Sequence, residues 1–177
     1  MRHKSVLPQK AHADMRALMQ VALGEEKADL TILNAKLVNV YTAEVQEPIG
    51  VAVKGPWIAR VSADVGDTIG AETRVIDAAG RTLIPGLIDG HTHLSWICSV
   101  AAFVPYAIAS GVTTVVTETL EPFPVAGIAG VLDLLASLQD QPIRILATAP
   151  SMVSISTAAR GISPAALESL LARQDIL

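Results

Sequence analysis

Apolar and polar positions follow two rhythms along this chain, and the change comes at Pro85. Before it, apolar residues fall in short runs rich in Val, Ile, Thr and Leu: "DLTILNAKLVNVYT" at 29–42, "IGVAVKGPWIARVS" at 49–62 and "TRVIDAAGRTLIP" at 73–85. Turn residues at Asn34, Gly55-Pro56 and Ala79-Gly80 punctuate them, and Gly55-Pro56 joins two apolar strands as a hairpin would. The expectation is a small antiparallel β-domain. A helix at 12–23, with Met15, Leu18, Met19 and Ala22 on its packed side, precedes it and stops at Gly24.

After Pro85 strand-like and helix-like runs alternate. "GLIDGHTHL" reads as a strand, 97–110 as a helix ended by Gly111, and 112–118 as a second strand. A second helix follows at 125–138, whose Ile128, Val131, Leu132, Leu135 and Leu138 make one stripe. A third strand at 143–150 leads to a helix opened by Ser163-Pro164, with Leu167, Leu170 and Leu171 as its buried face. A fourth strand is expected to begin at "DIL". Near-continuous apolar strands separated by helices imply parallel strands covered on both faces. The pattern therefore predicts an α/β fold: a lead and helix over 1–27, a β-sandwich-type domain over 28–84, and the first three βα units of an incomplete (β/α)8 barrel over 85–177. Closing such a barrel takes eight units.

Composition narrows the function classes. Hydrophobic residues make up 51% and charged residues 17%, which fits a buried core and excludes a disordered chain. A formal net charge of −4, no basic stripe and 3% aromatics leave nucleic-acid binding without support. The longest charge-poor run, 94–116, is broken by Pro105 and Gly111, so no membrane span is expected. Cys98 is the single cysteine and reads as core packing in a reducing, cytoplasmic setting.

The strand over 86–94 spends two imidazoles, His91 and His93, at positions that alternate onto one face together with Asp89. Two neutral imidazoles at this spacing can present nitrogens to one divalent metal ion. They stand at the C-terminal end of a parallel strand, where barrel active sites are built. Asp89 could hold an imidazole by hydrogen bond. Glu118 closes the second strand and Glu121 follows it; both are candidate catalytic carboxylates. Trp96 could line the mouth of a pocket, whereas Trp57 reads as packing, Ser151 as a turn former and His12 as solvated.

The stretch "IPGLIDGHTHL" resembles the signature PG-[FL]-[IV]-D-x-H-x-H of the amidohydrolase superfamily. More narrowly, "ADLTILNAKLVNVYTAEVQEPIGVAVKGPWIARV" resembles the start of bacterial adenine deaminases. "GVTTVVTETLE" is similar to their "GTTTVVADPHE", and "APSMV" to their "APSCV". The likeness runs from about residue 15 to the end. It implies a β-sandwich joined to a metal-dependent (β/α)8 barrel, with His91 and His93 as metal ligands. It also implies zinc, iron or manganese as cofactor, and hydrolysis at an sp² carbon. That carbon would be C6 of a purine, with ammonia leaving, or an amide or cyclic-amide carbonyl.

Two departures bear on the substrate. Leu94-Ser95-Trp96 stands where adenine deaminases commonly carry Ile-Glu-Ser, and Leu120 replaces the histidine of Asp-Pro-His-Glu. A pocket that lacks a polar partner should not hold the same base equally well. By the same resemblance the remaining ligands come from strands four to eight, beginning with a glutamate in a "GLGE"-like segment expected just after Leu177. The site is then incompletely ligated and the isolated chain inactive. It would be either the N-terminal part of a hydrolase, self-associating or completed by another polypeptide, or a non-catalytic interaction module.

Overall fold

The computed structural model describes residues 11–150 and 161–177, and for 11–14 the backbone only. The chain divides into two compact units, one up to Pro85 and one from Gly86.

The first unit opens with helix α1 (Ala11–Leu23). Strands β1 (Leu30–Asn39), β2 (Glu44–Lys54) and β3 (Trp57–Ser62) follow, then β4 (Arg74–Asp77) and β5 (Thr82–Leu83). They form one five-stranded sheet in the order β3-β2-β1-β4, with β5 also on β1. The β1-β2 and β2-β3 pairs are antiparallel, as alternation and the Gly55-Pro56 turn predict. The expectation of a wholly antiparallel domain fails at β4 and β5, which pair parallel to β1. The physical reason is the connection: residues 63–73 are too long for a hairpin and carry the chain to the other side of β1, where β4 runs in the direction of β3. Among the described residues the unit has this one sheet, with α1 against β2 and β3. The packed side of α1 is also displaced. Val21 is fully buried, whereas Met15 and Met19 are exposed.

A single carboxylate anchors the β2-β3 turn. Asp29 accepts hydrogen bonds from the Gly55 backbone N–H (2.7 Å) and from Lys54 Nζ (2.9 Å). Gly55 itself holds a φ of +55°, which favours glycine. The Gly55 N–H, and then Lys54, hold the Asp29 carboxyl below the ordinary aspartate range. A depressed folded-state pKa contributes stability above the unfolded value, about 3.9, and loses it as pH falls through the folded one. Thermal melts of D29N are therefore expected to lie below wild type at neutral pH and to converge with it in strong acid.

The second unit alternates. Strand β6 (Leu87–Thr92) leads into a short helix α2 (Leu94–Ile97) and then α3 (Val100–Ala109). Strand β7 (Val112–Thr117), helix α4 (Pro122–Ser137), strand β8 (Arg144–Ala147) and helix α5 (Pro164–Leu171) complete it. The three strands form a parallel sheet in the order β6-β7-β8. After α5 the chain returns beside β8: Ile176 bridges Ala147 in parallel and Leu177 N–H donates to its carbonyl at 2.9 Å. Ser163 caps α5 through the Ala166 N–H, with Pro164 in the first turn, as the sequence predicts. The core is one cluster around Val115, Ala147, Val131, Leu135, Leu138, Val104 and Leu170. Leu132 and Leu171, expected within the buried stripes, are exposed.

Candidate metal centre

The site forms where β6 ends, α2 begins and the β7-α4 loop passes. Its geometry starts from an irregularity. Asp89 pairs with Val115 and Thr92 with Thr117, so two β6 residues, Gly90 and His91, stand opposite the single residue Val116. This one-residue bulge re-aims the side chains beyond it. Simple alternation would set Asp89 beside the imidazoles. Instead Asp89 Oδ1 accepts the backbone N–H of His91 at 3.1 Å. The structure thus corrects the expected role of Asp89: its recorded contact is with the backbone, not with a ring.

His91 and His93 do converge. Their Nε2 atoms stand 3.3 Å apart, with ring planes at 74°. His91 is mostly exposed, while His93 precedes the first turn of α2 and is three-quarters buried. Behind His93, Nδ1 faces Oε1 of Glu121 in a short contact, and Oε2 of Glu121 accepts the Ser95 hydroxyl at 2.8 Å. Trp96 stacks on the His93 ring at 4.7 Å and 17° while leaving most of its own surface open. Glu118 lies on the other side, its Oε1 3.9 Å from His91 Nδ1.

Buried threonines hold the loop that carries both glutamates. Thr117 Oγ1 accepts the Leu94 N–H (3.2 Å) and donates to the Glu118 carbonyl (3.1 Å). The Glu118 N–H in turn donates to the Thr92 carbonyl (2.9 Å). Thr119 Oγ1 donates to the Thr148 carbonyl at 2.7 Å. Sequence reasoning missed Thr117, Thr119 and the bond from Ser95. Their only advance signal is a run of polar β-branched residues in an otherwise apolar strand.

The donor set suits a divalent ion. An ionised carboxylate only accepts hydrogen bonds, so with Glu121 ionised His93 would carry its proton on Nδ1 and leave the Nε2 lone pair facing His91. Two imidazole nitrogens bound to one tetrahedral ion at about 2.0–2.1 Å each stand about 3.3–3.4 Å apart. The Nε2 pair already has that separation. Three carboxylates nearby, Asp89, Glu118 and Glu121, favour positive charge. Among the described residues no group of three or more His, Cys, Asp or Glu side chains converges as a complete metal site. Cys98 is half-buried and free of disulfide bonding. Ser151 and the side chain of His12 lie outside the described residues. No helix among the described residues is long and apolar enough to cross a membrane.

The chain is similar to known proteins over most of its length. The model of the amidohydrolase family matches residues 82–173, just over half of the chain. Adenine deaminase 3 of Rhizobium meliloti (strain 1021) is 38% identical over 165 residues, covering 90% of this chain and 28% of the relative. The adenine deaminase of Dehalococcoides mccartyi is 42% identical over 142 residues, covering 79% and 24%. The chain thus spans about a quarter of the length of the curated relatives it matches. Among solved structures, an N-acyl-D-glutamate deacylase from Bordetella bronchiseptica, complexed with zinc and a phosphonate inhibitor, superposes with a TM-score of 0.54. It is 20% identical and covers 71% of this chain and 30% of that one, a likeness of fold.

Proposed function

The chain belongs to the amidohydrolase family, and on that premise we propose that it supplies the first metal-binding strand of a hydrolase that cleaves C–N bonds. The first substrate class is a purine base deaminated with release of ammonia. The observation that carries this reading is the convergence of the His91 and His93 Nε2 atoms at 3.3 Å. Relatives named adenine deaminases support the purine class. The parallel order β6-β7-β8, with Ile176 adding beside β8, supports the opening of a (β/α)8 barrel.

His91 and His93 would hold the ion through Nε2. When bound, a divalent ion such as zinc, manganese or iron supplies Lewis acidity toward water and toward the substrate carbon. Glu118 is placed to accept a proton at Oε1 or to orient His91 through Nδ1, which it approaches at 3.9 Å. The half-exposed rim of His91, Glu118 and Trp96 would meet the substrate. Two imidazoles hold an ion weakly, so further ligands must come from additional barrel strands or from a completing polypeptide or second copy. The single cysteine, Cys98, fits a reducing, cytoplasmic setting.

A second reading, hydrolysis of an amide or cyclic amide, draws on Ser95 and Leu120, where adenine deaminases commonly carry an acid and a histidine. Ammonia assays decide between the two, with Mn, Fe and Zn supplied separately. The 177-residue chain alone is expected to release none from adenine. A polypeptide continuing it through the further strands is expected to release ammonia from a 6-aminopurine. Release by the isolated chain would contradict the incomplete site. Turnover of cyclic amides alone would select the second reading.

A further inference from the structure

We propose that Glu121 is a positioning residue for His93 rather than a catalytic one. Ser95 and Trp96 complete the clamp that fixes this imidazole in the Nδ1–H tautomer, with its Nε2 lone pair toward His91. The inference rests on the reading of the His91–His93 pair as a metal centre.

Four observations converge on it. The Glu121 carboxylate is the more enclosed of the two glutamates, with 9% of its side chain exposed against 28% for Glu118. Both of its oxygens are engaged: Oε1 faces His93 Nδ1, and Oε2 accepts the Ser95 hydroxyl at 2.8 Å. A carboxylate committed at both oxygens and turned to the back of the ring is poorly placed to meet substrate. It is well placed to set which ring nitrogen carries the proton. Trp96, 17° from coplanar with His93 at 4.7 Å, restricts rotation of the ring about its own axis. Glu121 is itself held at the start of α4, on the loop that Thr117 and Thr119 secure. His91 has no equivalent support. Its Nδ1 meets Glu118 only at 3.9 Å and its side chain is two-thirds exposed. The two ligands are therefore unequal: His93 is pre-set and His91 closes onto the ion.

The arrangement also assigns a role to Ser95. A hydroxyl there donates to Glu121. An acid at the same position would set two carboxylates against each other and draw Glu121 off His93 unless a cation intervened.

The test reads the tautomer directly. Long-range ¹H–¹⁵N spectra of the 177-residue chain without metal, at about pH 8, above the ordinary histidine range, distinguish a proton on Nδ1 from one on Nε2. His93 is expected to carry it on Nδ1 in wild type and in E121Q, whose amide oxygen still accepts, and to move to Nε2 or a mixture in E121A. S95A is expected to retain the tautomer with weakened preference. Zinc titration of the same proteins is expected to show affinity about 10- to 100-fold weaker in E121A, as removal of a ligand's hydrogen-bond partner typically does, with partial recovery in E121Q. A wild-type His93 protonated on Nε2, or a tautomer unchanged by E121A, would overturn the inference. Where E121A does not fold, the wild-type spectrum decides: His93 protonated on Nδ1 supports the inference and on Nε2 overturns it. Wild-type chain that binds no zinc while keeping the Nδ1–H tautomer would overturn the metal reading and leave the clamp intact.

Discussion

Exchanging Leu135 for alanine is expected to cost about 2–5 kcal/mol of stability, the range for emptying a buried leucine site. Leu135 is 1% exposed and sits in α4 at the centre of the cluster that joins the helix to Val115 of β7 and Ala147 of β8. Small domains are stable by about 5–15 kcal/mol, so this one change takes a large share of the margin. The matching control is Leu132, three residues earlier on the same helix and 38% exposed. L132A is expected to cost distinctly less, about 1–2 kcal/mol, since more than a third of that residue stays in water. Urea melts of both variants check the pair. Equal losses would contradict the placement of the α4 face.

The second large effect is at the metal pair. H93A is expected to weaken zinc or manganese binding more than about 100-fold, beyond the 10- to 100-fold typical of losing only a ligand's supporting partner. H91A is expected to weaken it less, because the pre-set ring is the one that remains. The difference comes from burial and contacts: His93 has Glu121 at Nδ1 and Trp96 on its face, whereas His91 stands in solvent. Neither change should unfold the unit, since neither side chain belongs to the apolar cluster. Calorimetric titration with the metal alone measures both. Equal affinities in wild type and H93A would place the ion elsewhere.

Much of this was legible before the structure. The period of 3.6 places α4 and its Val131, Leu135 and Leu138 side correctly, because those residues face one sheet over several turns. Leu132 fell on the wrong side because it lies about 100° round the helix from Val131, at the flank of a stripe whose width a sequence does not state. α1 misled for a related reason. It packs chiefly on β2 and β3, so one narrow strip through Val21 is covered while Met15 and Met19 stay out.

The histidine pair was legible because two residues of one strand end need only local geometry. Its partners were not. Glu121 is 28 residues from His93, and only the packing of the β7-α4 loop onto α2 brings them together. Asp89 was assigned by strict alternation, which holds only while a strand stays regular. The bulge at Gly90-His91 broke it, and a glycine in mid-strand was the one hint available. Likewise the parallel β4 and β5 depend on where a long connection travels, which residue pattern does not encode.

The central claim is that His91 and His93 act together through Nε2 on one ion. Zinc titration of the 177-residue chain, followed by the ring-nitrogen signals of both histidines, tests it most directly. The account predicts that both Nε2 signals shift in step and saturate together at one ion per chain, while His93 Nδ1 stays protonated toward Glu121. A shift confined to one ring, coordination through Nδ1, or no shift as zinc is added would contradict it.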